Sequence, residues 1–182
     1  MRHRSKRQIK DIREGQREAW EAIICRNYKL IYRFLAYLTS DTSLAEDLTQ
    51  ETFVSAWANI TRFKGRASLG TWLHRIAYNK FIDSRRSLER NTASMAGLQK
   101  AGRDVPETLN PLHRLMADEH SRLLYEAIHR LESFEYVAIV LHYIQGLSFR
   151  EIAKVLDEPV GTVKWRTSRA LKKLRTFLTG RV

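Results

Sequence analysis

Proline occurs at positions 106, 111 and 159 and nowhere else in the 182 residues. The first 105 residues therefore contain no position with a fixed φ and a missing N–H, and nothing in them interrupts long helices. No strong period-two alternation appears, and no Asn-Gly or Asp-Gly pair marks a hairpin. Apolar residues recur instead at spacings of three and four, the mark of amphipathic helices. The chain is expected to be all-α, in two small helical domains. Hydrophobic residues make up 43% of it, enough for packed cores. Each core is small, so neither half need be very stable alone.

The first domain is expected over residues 15–90. Its first helix covers 15–38, with Trp20, Ile23, Ile24, Ile31, Leu35 and Leu38 on one face. Thr39-Ser40-Asp41 breaks it. A second helix opens near Ser43, where Ser43-x-x-Glu46 has the form of a capping box, and continues to Trp57. A polar loop from Thr61 to Gly70 leads to a third helix, 71–87. Residues 1–14 form a basic tail. Residues 91–114 hold Gly97, Gly102, Pro106 and Pro111 with little periodicity, and read as a flexible linker. The second domain is expected over 115–182, with helices at 120–131, 134–145, 149–156 and 159–178. Ser148-x-x-Glu151 again has the capping-box form, and Pro159 suits the first residue of the last helix.

The formal net charge is +12. Such a balance points to a polyanionic partner: nucleic acid, or less often an anionic membrane surface. It also fits a merely soluble basic protein. The N-terminus, MRHRSKRQIK, has no apolar run behind it, so no secretory signal is read there. No run approaches membrane-spanning length, and a cytoplasmic location is expected. The single cysteine, Cys25, permits no disulfide within the chain. Beside Ile23 and Ile24 it reads as a buried, inert thiol.

Residues 148–175 have the form of a helix-turn-helix: short helix, tight turn, longer helix. Ile152, Ala153 and Leu156 should face inward, against Val160, Val163, Thr167, Ala170, Leu171 and Leu174. Lys164, Arg166, Arg169, Lys172, Lys173 and Arg175 carry no acidic residue among them. In a recognition helix the N-terminal half touches base edges, which makes Lys164, Trp165, Ser168 and Arg169 the candidate readers. Lys172, Lys173 and Arg175 suit phosphates. An ordinary helical hairpin with a solvated basic face is the alternative.

On the third helix Trp72, Arg75, Asn79, Ile82 and Arg86 share a face, opposite Leu73, Ile76, Ala77 and Phe81. A ring, an amide, an aliphatic and guanidinium groups together suit single-stranded nucleic acid. The loop residues Phe63, Lys64, Arg66 and Ser68 would wall a pocket for an unstacked base. The competing picture puts Trp72 in the core and the rest in solvent. On the second helix Asp47, Gln50 and Glu51 form an acidic patch. It repels DNA, and either docks a basic or polar protein surface or solubilises the helix.

Taken in order, Asp47-Leu-Thr-Gln-Glu-Thr-Phe-Val-Ser-Ala-Trp57, Phe63-x-Gly-x-Ala-Ser-Leu-x-Thr-Trp-Leu-x-x-Ile-Ala-x-Asn79 and Asp83-x-x-Arg86 resemble the promoter-melting domain of extracytoplasmic-function (ECF) sigma factors. Leu147-Ser-Phe-Arg-Glu-Ile-Ala153 and Pro159-Val-Gly-Thr-Val-Lys164 resemble that family's −35-binding domain. The resemblance implies a region 2-like bundle and a region 4-like helix-turn-helix, with core RNA polymerase and promoter DNA as partners. It implies that Asp47, Gln50 and Glu51 grip the polymerase clamp. It implies that Phe63–Ser68 and Asn79 hold a base flipped from the melted −10 strand, and that the last helix reads the −35 duplex. Many members of the family are restrained by an anti-sigma protein. Trp165 departs from the pattern, being bulkier than the small residues common there. The basic tail is also outside it.

Two other function classes compete. A stand-alone helix-turn-helix regulator would bind duplex DNA without polymerase, but no dimerisation helix or ligand pocket is legible. An enzyme acting on nucleic acid would need a metal site or a carboxylate cluster. The histidines show no metal-ligand spacing, so no cofactor, metal or catalytic residue is expected.

Overall fold

A computed structural model of the chain describes residues 17–94, 123, 126–128 and 130–179. The described residues are helical, with short connections, and the chain divides into two compact units, 1–106 and 107–182. The basic tail, most of the expected linker and the start of the helix expected at 120–131 lie outside the described residues.

In the first unit, helix α1 spans Arg17–Thr39, α2 spans Thr42–Asn59 with a single 3-10 turn Ile60–Arg62 after it, and α3 spans Leu69–Ser94. The cap of α2 differs from expectation. Asp41, not Ser43, accepts the N–H groups of Ser43 and Leu44, at 2.9 and 3.0 Å, and its extended backbone marks the N-cap position. The expected Ser43–Glu46 box starts two residues too late. Helix α3 runs past the expected end at Ser87 and into the stretch read as linker. No proline or glycine stands between Ser87 and Ser94 to stop it.

The three helices close on one core. Trp20, Ile23, Ile31, Phe34 and Leu35 of α1 meet Ala45, Leu48, Phe53 and Ala56 of α2 and Leu73, Ala77 and Phe81 of α3. The aromatic contacts are specific. Tyr28 stacks on Phe53 at 5.9 Å, and Trp20 meets Phe53 edge-on at 6.4 Å. Thr49 and Thr52 are buried, and each hydroxyl donates to the carbonyl four residues back, which satisfies it inside the helix. Cys25 corrects the sequence reading: it is exposed, because the position falls on the outward side of α1.

In the second unit, α4 spans Ser133–Ile139 and continues as a π-turn, Val140–Ile144, before Gly146 with φ +71° ends it. Helix α5 spans Phe149–Leu156 and α6 spans Val160–Thr179. The Ser148–Glu151 capping box is present as expected: Glu151 accepts the Ser148 N–H at 3.0 Å. Between α5 and α6, Asp157 takes the left-handed conformation, φ 57°, which turns the chain sharply. Pro159 sits one place earlier than expected, as the cap whose carbonyl accepts Val163 N–H at 3.1 Å. Ile152, Ala153, Val163, Thr167 and Ala170 are buried, so the two helices pack through the predicted stripe. Val160 is half-buried, and Leu171 departs further. It is exposed, on the edge of that stripe.

Candidate nucleic-acid and partner surfaces

The loop before α3 is held by its own residues. Gly65 has φ +67°, a conformation open to glycine, and bends the chain back. Ser68 caps α3: its hydroxyl accepts Thr71 N–H at 3.0 Å and lies 2.7 Å from the Thr71 hydroxyl. Phe63 is buried, and its ring meets Trp72 at 5.0 Å. Of the residues expected to wall an open pocket, Phe63 is closed off from solvent while Ser68 is exposed and also caps the helix. The Phe63 ring supports Trp72 from behind, and the Ser68 hydroxyl starts the helix. Lys64 and Arg66 are exposed on this loop.

Along α3 the two expected stripes separate. Leu73, Ala77 and Phe81 are buried, while Arg75, Asn79 and Arg86 are exposed. Trp72 and Ile82 are half-buried, each turning one edge outward. Neither sequence picture of Trp72 holds alone, since one side of the ring packs on Phe63 and the rest stays on the outer face. Trp72, Arg75, Asn79, Ile82 and Arg86 recur at spacings of three and four along α3, and Lys64 and Arg66 are exposed on the loop that leads into it.

Asp47, Gln50 and Glu51 are exposed on one face of α2. Val54, 70% exposed, and Trp57, 46% exposed, extend that face by one and two turns. The sequence reading missed Val54 and Lys80. Lys80 of α3 pairs with Glu51 at 3.0 Å. A valine so exposed beside a half-open tryptophan is the kind of apolar patch that marks a protein contact.

On α6, Lys164, Trp165, Ser168, Lys172 and Arg175 are exposed. Trp165 is 60% exposed, and the Arg169 guanidinium lies 5.3 Å from its ring centre. Arg169 and Lys173 do not project freely as expected. Arg169 Nε donates to Glu135 at 2.9 Å, and its terminal nitrogen pairs with Glu132. Lys173 donates to Glu135 at 2.8 Å and to Glu132 at 3.0 Å. The physical reason is Glu135, only 1% exposed in the first turn of α4. A buried carboxylate requires cations, and α6 supplies both. Arg166 is likewise turned toward α4, with its guanidinium over the Phe134 ring at 4.2 Å.

The electrostatics follow the geometry. Hydrogen bonding from Lys173, more than any other cause, holds the Glu132 carboxyl below the usual range. Hydrogen bonding to Glu135, then to Glu132, holds the Lys173 ammonium above its usual range. The signal for this cluster was in the sequence: Glu135 is an acid entering the apolar run from Val137 to Leu141, and such a residue demands partners. Among the described residues, no group of His, Cys, Asp and Glu could hold a metal ion, and no helix is long and apolar enough to cross a membrane.

Comparison with known proteins gives these surfaces a family. Sigma-70 region 2 matches residues 23–91, and sigma-70 region 4 matches residues 121–174. The ECF RNA polymerase sigma factor SigW of Bacillus subtilis is 33% identical over 179 residues, covering 95% of this chain and 96% of the relative. The ECF sigma-E factor of Haemophilus influenzae is 28% identical over 168 residues, covering 89% and 88%. Among solved structures, the sigma factor RpoE of Bartonella quintana, determined with the anti-sigma factor NepR, superposes with a TM-score of 0.69 at 25% identity, covering 87% of this chain and 96% of that one. CnrH, solved with the cytosolic domain of CnrY, shares the fold, with a TM-score of 0.72 at 23% identity over 98% and 99% of the two chains. The chain belongs to the sigma-70 family of transcription initiation factors, in its ECF branch, and functions in promoter-directed initiation by RNA polymerase.

Proposed function

We propose a division of labour among the surfaces described. The α2 face of Asp47, Gln50 and Glu51 docks core polymerase, with Val54 and Trp57 adding apolar contact. The loop and outer face of α3 hold the melted −10 strand. Lys64, Arg66, Arg75 and Arg86 follow its backbone, Trp72 and Ile82 offer stacking surface, and Asn79 reads an exposed base edge. Phe63 shapes that face from behind, and Ser68, exposed at the start of α3, borders it. Helix α6 enters the −35 major groove with Lys164, Trp165 and Ser168 toward the bases, and Lys172 and Arg175 toward phosphates.

The chain contributes binding rather than catalysis, and it acts in the cytoplasm. Trapping an unstacked base offsets an opening cost of a few kcal/mol and shifts the promoter toward the open state. The Bartonella relative was solved in complex with an anti-sigma factor, and an anti-sigma protein is an expected partner of this chain. The observation that carries the reading is the segregation of exposed faces within the first unit: acid and apolar on α2, cation and amide on α3.

The test compares polymerase affinity with promoter opening, followed by permanganate reactivity of unpaired thymines. Asp47→Ala with Gln50→Ala is expected to weaken polymerase binding by about tenfold with helix content unchanged. Asn79→Ala is expected to lower open-complex yield while polymerase affinity holds. Unchanged affinity in the first variant, or unchanged yield in the second, removes the corresponding role.

A further inference from the structure

We propose that Glu135, through Arg169, positions Trp165 to read a thymine-bearing step of the −35 duplex, making Trp165 a specificity-determining residue of this chain's recognition helix. The inference rests on the assignment of α6 to the −35 element.

The starting point is what a buried carboxylate requires. Glu135 is 1% exposed, and both its oxygens are used. One accepts Arg169 Nε at 2.9 Å. The other accepts Lys173 at 2.8 Å and the Glu132 backbone N–H at 3.2 Å. One side chain therefore caps α4 and grips α6 at two points a helical turn apart. Arg166, over the Phe134 ring at 4.2 Å, adds a third point. A helix held at 166, 169 and 173 along one flank has a fixed rotation about its own axis. With about 100° between successive residues, that rotation decides which side chains meet the groove.

Arg169 links this grip to the DNA-facing side. With Nε on Glu135 and one terminal nitrogen on Glu132, its guanidinium lies 5.3 Å from the Trp165 ring. Two of its three nitrogens are thus engaged by the glutamates. The ring it supports is 60% exposed, in the half of the helix that enters the groove. In the major groove an apolar side chain discriminates by contact with the thymine methyl. Held by the guanidinium, the indole presents one orientation instead of several, which sharpens that contact.

The test uses the full chain with core polymerase and a pool of promoter duplexes randomised across the −35 element. Wild type is expected to enrich thymine at a defined position, and Trp165→Ala to lose that preference by about tenfold. Glu135→Gln and Arg169→Gln are expected to lose part of it at the same position, with polymerase affinity unchanged. Combined with Trp165→Ala, Glu135→Gln should add nothing further there, the signature of action through Trp165. Wild-type preference in folded Glu135→Gln, or additive losses in the double variant, overturns the inference. Should Glu135→Gln fail to fold, Arg169→Gln decides alone, because Lys173 still holds Glu135; an unaltered thymine preference in it overturns the inference. A wild type with no −35 preference overturns the assignment of α6 itself, and the inference with it.

Discussion

Lys80 Nζ lies 3.0 Å from Glu51 Oε2, so the helix proposed to hold the melted strand is tied to the acidic face of its neighbour. Both ends are open to solvent, and such a pair contributes about 0.2–1 kcal/mol. Lys80→Ala is expected to change urea-unfolding stability by less than about 1 kcal/mol, and to leave polymerase affinity intact because Glu51 remains exposed. A several-fold loss of polymerase affinity with stability unchanged would mean that the pair presets Glu51 for docking.

Phe63 separates packing from contact. It is 7% exposed and rests on Trp72. Phe63→Ala is expected to cost about 3–5 kcal/mol by leaving a cavity, and to abolish promoter opening through loss of the folded first unit. Phe63→Leu keeps most of the volume and is expected to retain opening once stability is matched. Should Phe63→Leu fold normally but fail to open promoters, the ring touches DNA after all.

The start of α2 gives a local check. Asp41→Ala is expected to destabilise the first unit by about 1 kcal/mol, the usual cost of a lost N-cap. Ser43→Ala, at the second residue of the helix, is expected to shift it far less. Equal losses in thermal melts would restore Ser43 as the cap.

Acid should loosen the second unit in a defined window. Glu132 is held below its ordinary value of 4.5, first by the hydrogen bond from Lys173. A carboxyl lowered on folding contributes stability above its unfolded pKa, and that contribution is lost as pH falls through the folded value. Lys173 is held above its ordinary value of 10.5, so its contribution is present below that pH and lost as pH rises past the folded value. Glu132→Gln is expected to lower the melting temperature at neutral pH, with the deficit shrinking as pH falls below 4.5. A deficit that stays constant into strong acid would place the effect elsewhere.

Among the described residues, helix positions and faces were legible because three- and four-residue spacing survives in the sequence. Trp20, Leu35, Leu73, Ile152 and Val163 are buried as their periodicity requires. Two kinds of feature escaped. Cap identity depends on one or two dihedral angles, which is why Asp41 was mistaken for part of the break before α2. Long-range pairing carries no periodicity: nothing local to Arg169 or Lys173 says that a glutamate more than thirty residues earlier holds them. Cys25 was misread because neighbouring isoleucines say little about a residue one position round the helix. On the candidate surfaces, residue types were legible, and what supports them from behind was not. Phe63, buried under Trp72, shows this most clearly.

Run-off transcription by bacterial core polymerase on a genomic promoter library, with and without this chain, tests the account most directly. New transcripts are expected only when the chain is added, from promoters sharing a −10 and a −35 element, and they should diminish with Asn79→Ala. An unchanged transcript profile, in a preparation whose helices are intact, would contradict it.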